Sequence, residues 1–194
     1  MVAIDPPFTS TPENIHTVFG RAEEFGLSFT DYPVPVDLAP CVRLYRANCG
    51  PASFAAVTGL LVTDIIRFFP QFPVDPHTNI PQMKSALSRC GISAEDITET
   101  WPEDGLCLIQ ITGPWTERTW SHTACGHRHW VGVRNSYIYD VNEHAWSEYP
   151  IWAKSMGERA AAHPRATGWK LLKALRLASQ PASLPDFCCD SALR

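Results

Sequence analysis

The sequence predicts an α+β domain in which helices come first and an antiparallel sheet follows. Helix start and stop signals concentrate between residues 48 and 91, in NCGPASFAAVTGL, VTDIIRFFP and NIPQMKSALSRCG. Strand-like runs come later: apolar Leu106 to Thr112, then HWVGVR and YIYDVN on either side of Asn135-Ser136. A block of helices followed by a block of strands, rather than an alternation, marks the α+β class and suggests two packed lobes with a cleft between them.

In chain order, residues 1–10 read as a leader. Residues 11–26 read as a short amphipathic helix through Ile15, Val18, Phe19 and Phe25. Pro33, Pro35 and Pro40 make residues 27–47 an extended arm. A helix then runs from the Gly50-Pro51 turn to about Thr58 and stops at Gly59. A second short helix falls at 63–69, with Asp64 near its start and Pro70 ending it. Asn79-Ile80-Pro81 opens a third, with Met83, Ala86, Leu87 and Cys90 on one face and Gly91 as the stop. After the strand and the hairpin, residues 150–163 read as helical. Residues 168–178 read as either a last strand or a basic helix, because Trp169, Leu171 and Leu172 fit neither period. The expected organisation is an arm over 1–40, one domain over 41–178 and a flexible tail over 179–194.

Bulk properties narrow the function classes. With 194 residues the chain can bury a substantial core, and 45% hydrophobic residues is a globular composition. A net charge of −4 without a basic stretch argues against nucleic acid as a partner. No apolar run is long enough to span a bilayer. The start MVAIDPPFTS has no apolar core of a signal peptide, so a cytoplasmic location is expected. The seven cysteines (41, 49, 90, 107, 125, 188 and 189) show no disulfide spacing, and reduced thiols are expected.

Cys49 carries the chemistry. Between Asn48 and Gly50-Pro51, at the start of a buried helix, its sulfur meets unpaired N–H groups and a partial positive charge, which favour the thiolate. A catalytic thiol also needs a base, and the base needs an orienting group. If the hairpin turns at Asn135-Ser136, residue 134 faces 137 and 129 faces 142. His129, Asp140 and Asn142 then project from one face. Either Asp140 or Asn142 could accept the His129 Nδ1–H, leaving Nε2 for Cys49.

The pieces NCGPASFAAVTGL, TNIPQMKSALSRCGIS, GLCLIQITG and HWVGV…YIYDVN, in this order over roughly residues 43–145, resemble the papain-like cysteine peptidase fold. The likeness is closest to bacteriocin-leader-processing (double-glycine) peptidases and to uncharacterised relatives, some encoded by phages and prophages. The resemblance implies a catalytic set of Cys49, His129 and Asp140, with Asn142 as the substitute for Asp140. It implies cleavage of a peptide or amide bond, a peptide or protein substrate, and no cofactor or metal. A phage-encoded relative would be virion-associated, with phage structural proteins as partners. These peptidases usually carry an oxyanion-binding glutamine six positions before the cysteine. Here that position is Arg43. Arg43 or Asn48 would have to replace it beside the Cys49 N–H, and the loss of one such donor typically costs about 10²–10³ in rate. That departure motivates a second expectation, a degenerate peptidase-like scaffold serving as a phage tail or assembly component. A third is acyl transfer from the same thiol.

Other residues admit competing roles. His122, Cys125, His127 and His129 fall within eight positions and admit a zinc reading, although zinc sites usually draw on two separated ligand pairs. His144 is an alternative base. Trp101, Trp115 and Trp120 are candidates for a substrate groove as well as for packing.

Overall fold

The computed structural model describes residues 32–97, 100–116 and 127–178. The chain is α+β: the described residues form five helices and one six-stranded sheet, antiparallel throughout. The helices are α1 (Leu38–Tyr45), α2 (Cys49–Thr58), α3 (Val62–Ile65), continued by a 3₁₀ turn over Ile66–Phe68, α4 (Ile80–Arg89) and α5 (Tyr149–Ala162). The strands are β1 (Ala94–Ile97), β2 (Asp104–Thr112), β3 (Arg128–Arg134), β4 (Tyr137–Asp140), β5 (Ala145–Glu148) and β6 (Gly168–Leu177), in the order β1-β6-β2-β3-β4-β5. Among the described residues no single helix is long and apolar enough to cross a membrane.

Alternation along the strands splits the core into two layers. Leu106, Leu108, Trp130, Tyr139 and Leu175 face α1–α4, where they meet Ala52, Phe54, Ile65, Met83 and Leu87. Cys107, Ile109, Val131, Val133 and Ile138 face the other way, onto Trp152 and Met156 of α5. In place of two lobes, the described residues therefore form a sheet with a helical layer on one face and a single helix on the other.

Residues 38–45, expected to be extended, are helical. Pro40 lies in the first turn of α1, where a helix makes no use of a backbone N–H, so proline does not forbid the helix there. The Asp37 carboxylate ahead of α1 reaches the next helix instead, accepting from the N–H groups of Val62 (2.9 Å) and Thr63 (2.8 Å). The α2 helix begins at Cys49 itself, so Pro51 is its third residue rather than its first. Gly59 ends α2 in the left-handed conformation at φ 72°. Asn79 and Gln82 form a reciprocal capping box at the start of α4. The tail from residue 179 and the expected helix over 11–26 lie outside the described residues.

The hairpin turns where the sequence places it. Asn135 (φ 47°) and Ser136 (φ 68°) both have positive φ, as a two-residue type I′ turn requires, and Arg134 pairs with Tyr137. The segment 168–177 is a strand with one irregularity. Leu108 faces Lys173 and Ile109 faces Leu171, so Leu172 is an extra residue and the alternation shifts there. This bulge puts Trp169 and Leu171 on the α5 side and Leu172 on the other, which is why the sequence periodicity is mixed. Two short edge strands, β1 and β5, have no counterpart in the sequence reading.

The α2 helix lies flat on β3 because Gly132 has no side chain. A Cβ there would come within 2.7 Å of Val57 Cγ1 and 3.4 Å of the Ser53 carbonyl oxygen. Gly132→Ala is therefore expected to destabilise the fold by about 1–3 kcal/mol, measurable as a lowered urea midpoint.

Candidate active site

The site forms where β4 stops. Asp140 is the last residue of β4, whereas β3 begins two positions before Trp130, so the backbone of Trp130 has no strand beside it on that side. In an antiparallel pair with Arg134 opposite Tyr137, every second residue of β3 turns its N–H and C=O toward β4, and Trp130 is one of these. The start of α2 occupies the gap. Ser53 Oγ donates to the Trp130 carbonyl (3.0 Å), and the Trp130 N–H donates to the Cys49 sulfur. A strand end and a helix end thus satisfy one another, and the thiol is fixed at their junction.

The turn before Cys49 is held from outside by residues 76–78. The Asn48 side chain accepts from the Gly50 N–H (3.2 Å), and its amide donates to the Pro76 carbonyl. Thr78 lies so close that a Cβ on Gly50 would meet its Oγ1 at 2.4 Å, and the Thr78 carbonyl accepts from Trp130 Nε1 at 2.7 Å. Only glycine fits after the cysteine.

His129 hydrogen-bonds through Nε2 to Asp140 Oδ1 at 2.8 Å, and its ring also hydrogen-bonds the Cys49 thiol. The expected partner of Asp140 is Nδ1. Asp140 lies on the diagonal from His129 and takes Nε2, the nitrogen expected to face Cys49. Asp140 has no exposed surface. Besides His129 it accepts from the Asn142 N–H (2.9 Å), from Trp152 Nε1 (2.9 Å) and from Arg159 (2.6 Å). Asn142 is exposed, with its side-chain amide 3.4 Å from His129 Nε2. Its backbone supports Asp140, so the residue that holds the imidazole is Asp140.

Electrostatics follow from this geometry. Burial alone would raise the Cys49 thiol, but the charge and hydrogen bond of His129 and the Trp130 N–H outweigh it and lower the pKa. Burial alone would lower His129, but Asp140 and the thiolate raise it to about 10. Burial likewise opposes the Asp140 charge, and His129 and Arg159 reverse that and hold the carboxyl well below its usual range. The other described cysteines behave as ordinary buried thiols. Burial pushes Cys41, with Asp37 beside it, up to about 11, and Cys90 up to about 11 despite Arg67 and Arg89. Burial also raises Cys107. Among the described cysteines, Cys49 alone is shifted toward the thiolate.

The remaining candidates are placed elsewhere. Arg43 is exposed on α1, and the Asn48 amide is turned to Pro76, so neither is held against the sulfur. His144 is exposed in the β4–β5 turn. Trp101 packs edge-on against Trp152 and Trp169 in the core rather than lining a groove. Trp115 stacks on His127 with ring centres 4.2 Å apart. Trp120, His122 and Cys125 lie outside the described residues, and among the described residues no three metal-ligating side chains converge. Sequence reasoning missed Trp152 and Arg159. The available signal was a cation on the buried stripe of α5, at i+7 from Trp152 and i+3 from Met156.

Asp140→Ala would leave Arg159, Trp152 and His129 without their common acceptor. The expected loss is about 3–5 kcal/mol, read by urea denaturation. The pH dependence should change with it. The depressed Asp140 pKa contributes stability above the unfolded carboxyl value of about 3.9, and that stability is lost as pH falls through the folded value. The raised His129 pKa contributes stability in full below its unfolded value of about 6.5, and that stability is lost as pH rises through about 10. Both limbs should flatten in the variant. Comparison of the chain with family models, curated proteins and solved structures gave no match.

Proposed function

We propose that the chain is a papain-like cysteine peptidase that cleaves a peptide or amide bond in a peptide or protein substrate. The observation that carries this reading is the continuous hydrogen-bonded line from Arg159 and Trp152 through Asp140 and His129 to the Cys49 thiol at a helix start. In the reaction the Cys49 thiolate adds to the substrate carbonyl carbon. The tetrahedral adduct collapses, the C–N bond breaks, and the His129 imidazolium gives its proton to the departing amine, leaving a thioester. Neutral His129 then takes a proton from water, whose oxygen attacks the thioester; the acid departs and the thiolate–imidazolium pair is restored. Asp140 keeps the ring oriented and stabilises its charge. An amine in place of water would give acyl transfer by the same steps.

One feature favours a second reading, a peptidase-like scaffold without turnover that serves as a phage virion or assembly component. With Arg43 exposed and Asn48 engaged, the Cys49 N–H is the donor left for an oxyanion, and among the described residues it has no hydrogen-bond partner. A hole with one donor fewer is slower by about 10²–10³, which weakens an enzyme without abolishing it.

Iodoacetamide alkylation of Cys49, followed by mass spectrometry against pH, separates the readings. The peptidase reading expects a midpoint well below the about 8.5 of a free thiol, moving up toward that value in His129→Ala. A thiol that titrates normally, or one indifferent to His129, would favour the scaffold. Hydrolysis of any substrate should be lost in Cys49→Ala, and wild-type turnover should decline as pH rises through about 10, where His129 loses the proton the leaving amine needs.

A further inference from the structure

The helix-facing side of the sheet carries a row of unanswered donors near the thiol. Gln110 on β2 lies directly opposite Arg128 on β3 and Lys170 on β6. Their side chains share the face of Leu108, Trp130 and Leu172, the one covered by α1–α4, because positions two apart on a strand point the same way. Directly paired residues hold their Cβ atoms about 4.5–5.5 Å apart, so the row is continuous across three strands. Gln110 is 2% exposed, and its Nε2 is buried without an acceptor. The Nε–H of half-buried Arg128 is buried without one too. Lys170 is exposed at the rim. No carboxylate among the described residues pairs with Arg128 or Lys170. A buried amide beside a half-buried guanidinium, each with a donor that nothing accepts, is a costly structural element and a good receptor for a carboxylate.

The place of the row identifies which part of a substrate meets it. The Trp130 N–H donates to the Cys49 sulfur. Arg128 is two residues further along β3, about 7 Å of strand. His129 lies between them and points to the opposite face, with Ile109. In the tetrahedral adduct on Cys49 the departing nitrogen must face His129, so the acyl fragment kept on the sulfur turns to the other side, toward Arg128. An extended segment covers that distance in two residues. We infer that Lys170, Gln110 and Arg128 receive an acidic side chain of the acyl fragment, so that preferred substrates carry Asp or Glu as the second residue before the scissile bond. The inference rests on the peptidase reading and gives it a substrate class.

Peptidyl chloromethyl ketones test it, because the Cys49 thiolate displaces their chloride and they carry no peptide on the leaving side. The full-length protein is treated with acetyl-Glu-Gly-chloromethyl ketone, with its neutral Gln-Gly counterpart and with iodoacetamide, and the rate of Cys49 labelling is read by mass spectrometry. Each peptidyl rate is divided by the same protein's iodoacetamide rate, so that a change in thiol reactivity cancels. The Glu probe is expected to label at least about tenfold faster than the Gln probe, the scale of one charge-assisted hydrogen bond. That preference should fall to near unity in Arg128→Gln, recover in part in Arg128→Lys, and shrink in Lys170→Gln, where the exposed position spares the fold. Equal rates for the two probes in the wild type, or a preference unchanged in both Gln variants, with Cys49 reactive toward iodoacetamide, would overturn the inference and leave the peptidase reading intact. A Cys49 inert to all three reagents would overturn the peptidase reading and this inference with it.

Discussion

A carboxylate with no exposed surface is tolerable only when its lone pairs are answered, and Asp140 is answered by groups from three parts of the chain. Its donors are His129 on β3, the Asn142 backbone just past β4, and Trp152 and Arg159 on α5. Removing any one exposes the others to the full cost of an unpaired polar group in a dry interior. The same carboxylate therefore ties α5 to the sheet and sets the orientation and charge of the imidazole. The chemistry of the site cannot be separated from the packing of the α5 layer.

The second constraint is the unequal length of the two hairpin strands. β4 ends at Asp140, while β3 continues beyond it to Arg128. The missing ladder partners of Trp130 are supplied by α2, through Ser53 to the carbonyl and the Cys49 sulfur to the N–H. A buried backbone N–H must be paired, so the sulfur proposed as the nucleophile is also a structural acceptor. Gly132 and Gly50 make this docking possible by letting Val57 and Thr78 approach the backbone. Two glycines and one early strand end bring Cys49 to His129 across a sequence distance that no local interaction spans.

Much of the site is local and so was legible. The two-residue turn at Asn135-Ser136 fixes the register, and period-two alternation then places His129 and Asp140 on one face. Asn48 and the Gly-Pro step mark a helix start beside Cys49, although the helix begins two residues before Pro51. Other parts misled for identifiable reasons. Prolines suggested an arm over 38–45, yet one first-turn proline is compatible with a helix. The bulge at Leu172 concealed a strand by breaking its alternation. Trp101 looked available for a groove, but its ring completes the cluster with Trp152 and Trp169.

The sequence by itself determined the α+β order of elements, the hairpin register and the shared face of His129 and Asp140, because turns, caps and side-chain periodicity act over a few residues. Tertiary structure decided that Nε2 of His129 faces Asp140, that Asp140 rather than Asn142 holds the imidazole, and that Arg159 anchors the set. Each of these depends on which groups are buried together and on the hydrogen bonds left over at the end of a strand, quantities that exist only once distant segments have packed.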